Sequence, residues 1–100
     1  MKKLMLITAV LMMIFSANAL SADAVAGEAK AASCTACHGQ KGISSMGLYP
    51  NLAGQKEQYL AKQINDFRSG ARKDPTMKQM VSPLSDDDVA NIAAYYAGLE

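Results

Sequence analysis

The chain has 100 residues, with 10 Lys and Arg against 9 Asp and Glu, 50% hydrophobic residues, 2 Cys, 1 His and no Trp. That length holds one small domain, and a formal charge of +1 excludes the strongly basic surface that binds nucleic acid.

Residues 1–19 divide into Met1-Lys2-Lys3, an apolar run over 4–15, and Ser16-Ala17-Asn18-Ala19. A positive start, a short apolar core and an A-x-A end predict a cleaved secretory signal. The run falls short of the roughly 20 apolar residues a membrane span needs. Ala22-Asp23-Ala24 offers a second A-x-A, so cleavage after Ala19 or after Ala24 both fit. The expected mature domain is 20–100, with 8 basic and 9 acidic residues and a charge of −1. It keeps one Phe and four Tyr, a thin supply for a core. Domains of this size are commonly stapled by something other than apolar burial.

The first predicted helix covers about 23–33, is rich in Ala and runs into Cys34. Cys34-Thr35-Ala36-Cys37-His38 then gathers both cysteines and the sole histidine into five residues. This is the C-x-x-C-H pattern of covalent haem attachment. Each thiol adds across one porphyrin vinyl group, two intervening residues let both reach, and the adjacent histidine stands as an axial ligand to the iron. A disulfide between Cys34 and Cys37 would close so short a loop that it stabilises little. A thioredoxin-like pair expects strands, and none is patterned here. Zinc wants four ligands, and Cys34, Cys37 and His38 supply three.

A loop over 39–54 follows, with Gly39, Gly42, Gly47, Pro50 and Gly54, and then a second helix over about 55–69. Leu60, Ile64 and Phe67 form its apolar face, and Gly70 stops it. A second loop is expected over 70–83, between Gly70 and Pro83. The third helix opens at Ser85, with Asp88 placed as in a capping box and Asp86, Asp87 and Asp88 in the first turn, where the helix dipole favours them. Val89, Ile92, Ala93, Tyr96 and Leu99 continue one face. The acidic run is read as capping, not as a metal site. The fold class is all-α: three main helices and long loops wrapped around one covalent haem.

With no second histidine, the sixth iron ligand is a methionine, water or a weaker donor; Met/His ligation raises the reduction potential. Met46 lies too near His38 in the chain to cross to the other haem face, which leaves Met77 and Met80.

These residues resemble the class I cytochromes c over essentially the whole mature chain. The likeness extends to small bacterial periplasmic monohaem cytochromes and to either half of the dihaem cytochrome c-four family. Its pieces are Cys34 to Gly39, Pro50-Asn51-Leu52-Ala53-Gly54-Gln55, Tyr59-Leu60, the stretch from Met77 to Met80, and Pro83-Leu84-Ser85-Asp86 leading to Ala93-Ala94-Tyr95-Tyr96. The resemblance implies that Met77, eight residues before Ser85, is the iron ligand and that Met80 packs beside it. It implies that the Pro50 carbonyl accepts from His38 Nδ1, and that Gly27 and Tyr95 stand where the first and last helices cross, with Tyr96 facing haem or core. The chain departs from the family at Lys30 and Ala31, where an aromatic often stands. The expected function is an electron carrier, not an enzyme: a periplasmic protein with one haem c and its iron, exchanging single electrons with periplasmic or inner-membrane dehydrogenases, reductases, oxidases and multihaem cytochromes. It is expected as a monomer or weak dimer, with no membrane span in the mature chain. Lys62, Arg68, Arg72, Lys73 and Lys78, opposed by the acidic turn, form a candidate surface for steering a partner.

Overall fold

A computed structural model describes residues 21–100. The signal expected over 1–19 lies outside the described residues. Helix α1 spans Ala24–Lys30 and passes through a 3₁₀ turn, Ala31–Cys34, into the single turn α2, Thr35–His38. Helix α3 spans Glu57–Ser69, α4 Pro75–Val81 and α5 Asp86–Ala97. Among the described residues all regular structure is helical, and none of these helices is long and apolar enough to cross a membrane.

The expected helix over 23–33 is thus two short pieces, α1 and the 3₁₀ turn. Asp23 caps the first, its carboxylate accepting from the Val25 and Ala26 amides at 2.9 and 3.1 Å. The Asp23 amide itself donates to Asn91 Oδ1 at 2.8 Å, tying the start of α1 to α5. Farther along, Lys30 Nζ meets the Asp88 carboxylate at 3.6 Å. Between these ties the two helices touch backbone to backbone. A Cβ at Gly27 would overlap the Asn91 carbonyl, so only glycine permits this crossing. Ala31, at the position where an aromatic was missed, is fully buried in the core, its small side chain suiting so close an approach.

Helix α5 supplies most of that core. Val89, Ile92, Ala93, Tyr95 and Tyr96 are buried, at i, i+3, i+4, i+6 and i+7. Its first turn carries the predicted cap in full: the Asp88 amide donates to Ser85 Oγ and the Ser85 amide to Asp88 Oδ2, both at 3.0 Å. Leu99 lies beyond the end of the helix and packs only partly against the core. Leu60 and Phe67 are the buried residues of α3, with Ile64 half-buried against the same cluster.

The segment over 70–83 is not wholly loop. Asp74 accepts from the Met77 amide at 3.0 Å and Pro75 occupies the first turn, so α4 forms. Proline has no amide to satisfy there and its φ suits the helix. A helix of 7 residues is too short for apolar periodicity to reveal it.

Candidate functional site

Cys34, Cys37 and His38 fall at i, i+3 and i+4 of one continuous right-handed stretch, because Cys34 and Thr35 both hold helical backbone angles. Side chains at these spacings share a face, so both sulfurs and the imidazole project to the same side. Both cysteines are free thiols, half-buried. Burial pushes the Cys34 thiol above its ordinary pKa, against smaller lowering effects of Ser33 and Tyr96, while Cys37 adds a further upward push.

His38 is buried, and its Nδ1 lies 2.8 Å from the Pro50 carbonyl oxygen. A carbonyl only accepts, so Nδ1 carries the proton and donates. That leaves the lone pair on Nε2, which makes no hydrogen bond among the described residues. The neutral tautomer with a free, oriented Nε2 is what a metal requires of histidine, and the carbonyl partner fixes the orientation of the ring. Tyr49 adds an edge contact, ring centroids 6.2 Å apart and planes at 63°. Sequence reasoning missed Tyr49; its signal was an aromatic directly before the singled-out proline.

The loop over 39–54 holds Pro50 in place through its own hydrogen bonds. The Gly42 carbonyl accepts from the Leu52 and Ala53 amides at 2.8 and 3.0 Å, and the Ser44 amide donates to Asn51 Oδ1 at 2.7 Å. The loop is anchored to α5 by the Gly54 amide, which donates to the Tyr96 carbonyl at 2.9 Å. Gly42, with φ of 70°, comes so close to Ala53 and to the Tyr96 ring that a Cβ would clash with both. The Pro50-to-Gln55 motif is therefore a brace: it sets the carbonyl that aims His38.

Met77 and Met80 sit on α4, not on a loop, one in its first turn and the other three residues on. Met77 is half-buried with its amide pinned by Asp74, whereas Met80 is 42% exposed. Met46, at 52% exposed, lies in the loop after His38. Ile43, Leu48 and Tyr59 are also large apolar side chains more than half exposed or nearly so.

Two of the five residues in the expected basic stretch are paired with acids. Lys62 pairs with Asp66 within α3, and Arg68 reaches Asp86 at 2.9 Å. Arg72 lies over the Phe67 ring at 4.6 Å and donates to Gln63. Only Lys73 and Lys78 of the five are without a charged or aromatic partner among the described residues.

The residues present fit a covalent haem. Two thiols and an oriented imidazole share one face, and a core with few large side chains leaves Leu52, Ile64 and Leu84 only partly covered beside it. One further atom belongs to this region. The Tyr96 hydroxyl is buried without a hydrogen-bond partner, an arrangement that costs about 1–3 kcal/mol. Burial holds its pKa well above the ordinary phenol range, with the nearby Cys34 sulfur as the next contributor.

Known proteins point the same way. The family model described as Cytochrome c matches residues 24–100. Cytochrome c4 of Pseudomonas aeruginosa is 52% identical over 75 residues, covering 75% of this chain and 37% of that protein. Cytochrome c-554(548) of Halomonas halodenitrificans is 47% identical over 81 residues, covering 78% of this chain and 98% of the relative. The crystal structure of reduced recombinant cytochrome c4 from Pseudomonas stutzeri superposes with a TM-score of 0.75 at 44% identity, covering 78% of this chain and 46% of that one. The chain thus spans 37% and 46% of these two cytochrome c4 proteins and nearly all of cytochrome c-554(548). With the C-x-x-C-H turn, the braced histidine and the all-α class I fold in one domain, the chain belongs to the cytochrome c family, whose members carry haem c with its iron and transfer electrons.

Proposed function

We propose that this chain is an exported carrier of single electrons, holding one haem c by thioethers from Cys34 and Cys37 with His38 and Met77 as axial ligands. When bound, the haem iron supplies one-electron chemistry by alternating between ferrous and ferric states. The observation that carries the reading is the His38 tautomer: Nδ1 donates to Pro50 at 2.8 Å, and Nε2 is left free beside two thiols on the same turn. His38 is thereby fixed in angle, and a fixed ligand changes little between redox states. Met77 is favoured over Met80 because Asp74 fixes its backbone and its side chain is the less exposed of the two. With both axial positions filled by side chains, small molecules are kept from the metal, which makes the chain a carrier and not an enzyme.

The partners in this reading are periplasmic or inner-membrane redox proteins, such as dehydrogenases, reductases, oxidases and multihaem cytochromes. Residues 1–19 serve as the export signal. Cleavage after Ala19 preserves the Asp23 cap and its tie to Asn91, whereas cleavage after Ala24 removes both. Arg72, Lys73 and Lys78 are the charges of that stretch left to guide a partner's approach.

The test is to produce the full chain in a bacterium with haem-attachment machinery and to examine the periplasmic product. The reading expects one haem by mass, bound covalently, with a low-spin ferric spectrum and no rapid carbon monoxide binding. A high-spin spectrum with rapid carbon monoxide binding would instead make it a ligand-binding protein or haem enzyme.

A further inference from the structure

Tyr96 carries the one side-chain oxygen or nitrogen among the described residues that is sealed from solvent and unpaired. The proposed ligand set makes no use of it. The residue is 1% exposed and its position is fixed from several sides. The backbone of α5 carries it, its carbonyl accepts from Gly54, and its ring edge lies where a Cβ on Gly42 would stand 2.9 Å away. The ring cannot swing out to water, so rotation of the O–H is the freedom that remains.

Cys34 packs against the core cluster that contains Tyr96, and its sulfur is close enough to act on that hydroxyl, as is the neighbouring Tyr95. As a thiol, this sulfur has a proton of its own and is a weak partner, close enough to act on the phenol yet leaving its hydroxyl without a formed hydrogen bond. Addition of S–H across a haem vinyl group moves that proton to carbon and leaves a thioether, which can only accept. We propose that Tyr96 O–H then donates to the Cys34 thioether sulfur, positioning that bridge and raising the reduction potential of the haem. The inference rests on the reading that Cys34 is a haem attachment point. The direction follows from electrostatics: the positive end of the O–H dipole lies at the haem edge and favours the electron-rich ferrous state, one of the hydrogen-bonding levers by which proteins set haem potentials. Tyr96 is a positioning residue here, acting through Cys34.

The experiment compares the wild-type holoprotein with Tyr96→Phe, which removes one oxygen and keeps the ring. Tyr96→Phe is expected to keep its covalent haem by mass, to lower the midpoint potential, and to shift the thioether C–S stretching band in the resonance Raman spectrum. In the wild type alone, transfer to deuterium oxide is expected to shift the same band, a readout that stands even if the variant fails to fold. In a Cys34→Ala background, bearing one thioether, the potential change caused by Tyr96→Phe is expected to vanish. A wild-type band indifferent to deuterium oxide, an unchanged potential in Tyr96→Phe, or an equal change in the Cys34→Ala background would each overturn the proposal. Loss of covalent haem at Cys34 in the wild type, read by mass, would overturn the attachment reading itself and is distinct from all three.

Discussion

At the scale of single residues, the cap of α5 is the most exposed to test. Asp88 accepts the Ser85 amide, and that hydrogen bond is the largest cause holding its carboxyl below the ordinary value; burial opposes it, and Ser85 Oγ and Lys30 assist. A carboxyl with a depressed pKa in the folded state stabilises the fold above its unfolded pKa of about 3.9 and loses that contribution as pH falls through the folded value. Acid unfolding of the holoprotein is therefore expected to begin below about pH 4 and to be less steep in Asp88→Asn, which is also less stable at pH 7. An Asp88→Asn protein with the wild-type pH profile would show that the cap contributes nothing. Ser85→Ala should cost about 1 kcal/mol in chemical denaturation, the usual loss for an N-cap serine. The C-x-x-C-H turn and this cap were fully legible in the sequence because each works through residues within a few positions of one another. The His38–Pro50 bond was not. It joins residues 12 apart, and only the family likeness pointed to it.

At the scale of elements, the crossing of α1 and α5 decides whether the site has a floor. Gly27→Ala places a methyl against the Asn91 carbonyl, and overpacking of that kind costs about 1–3 kcal/mol. Calorimetry of the holoprotein should show a lowered Tm, and an unchanged Tm would mean the helices separate freely. Helix α4 is the element the sequence concealed. Gly70 and two prolines in 70–83 suggested a loop, and 7 residues cannot display a period, yet Asp74 followed by Pro75 was the start signal. Its Asp74 cap fixes the backbone of Met77, so Asp74→Ala is expected to weaken iron coordination by Met77 before it affects global stability. That would be read as a lowered midpoint for alkaline or thermal loss of the Met–iron absorbance band. The salt-bridge pattern, by contrast, was out of reach of sequence: the Arg68–Asp86 pair spans 18 residues and withdraws a charge from the expected basic surface.

At the scale of the whole molecule, most of the core comes from one helix. Ile92, Ala93, Tyr95 and Tyr96 cluster with Ala31 and Leu60, Val89 is buried as well, and among the described residues the only buried phenylalanine is Phe67. Full burial of each large apolar side chain is worth about 1.5–3 kcal/mol, too little in sum to offset the chain entropy of so small a domain with much to spare. The haem is the expected remainder of the core. Cys37→Ser, or production without attachment machinery, should give a chain with little helical signal by circular dichroism; a helical, soluble apoprotein would contradict this.

The central claim is a haem held between His38 and Met77, and the ferric absorbance band of Met–iron ligation tests it most directly. The wild type and Met80→Ala should show the band, and Met77→Ala should lose it while keeping covalent haem. A band that survives in Met77→Ala and disappears in Met80→Ala would transfer the ligand to Met80, and its absence from the wild type would contradict the six-coordinate carrier altogether.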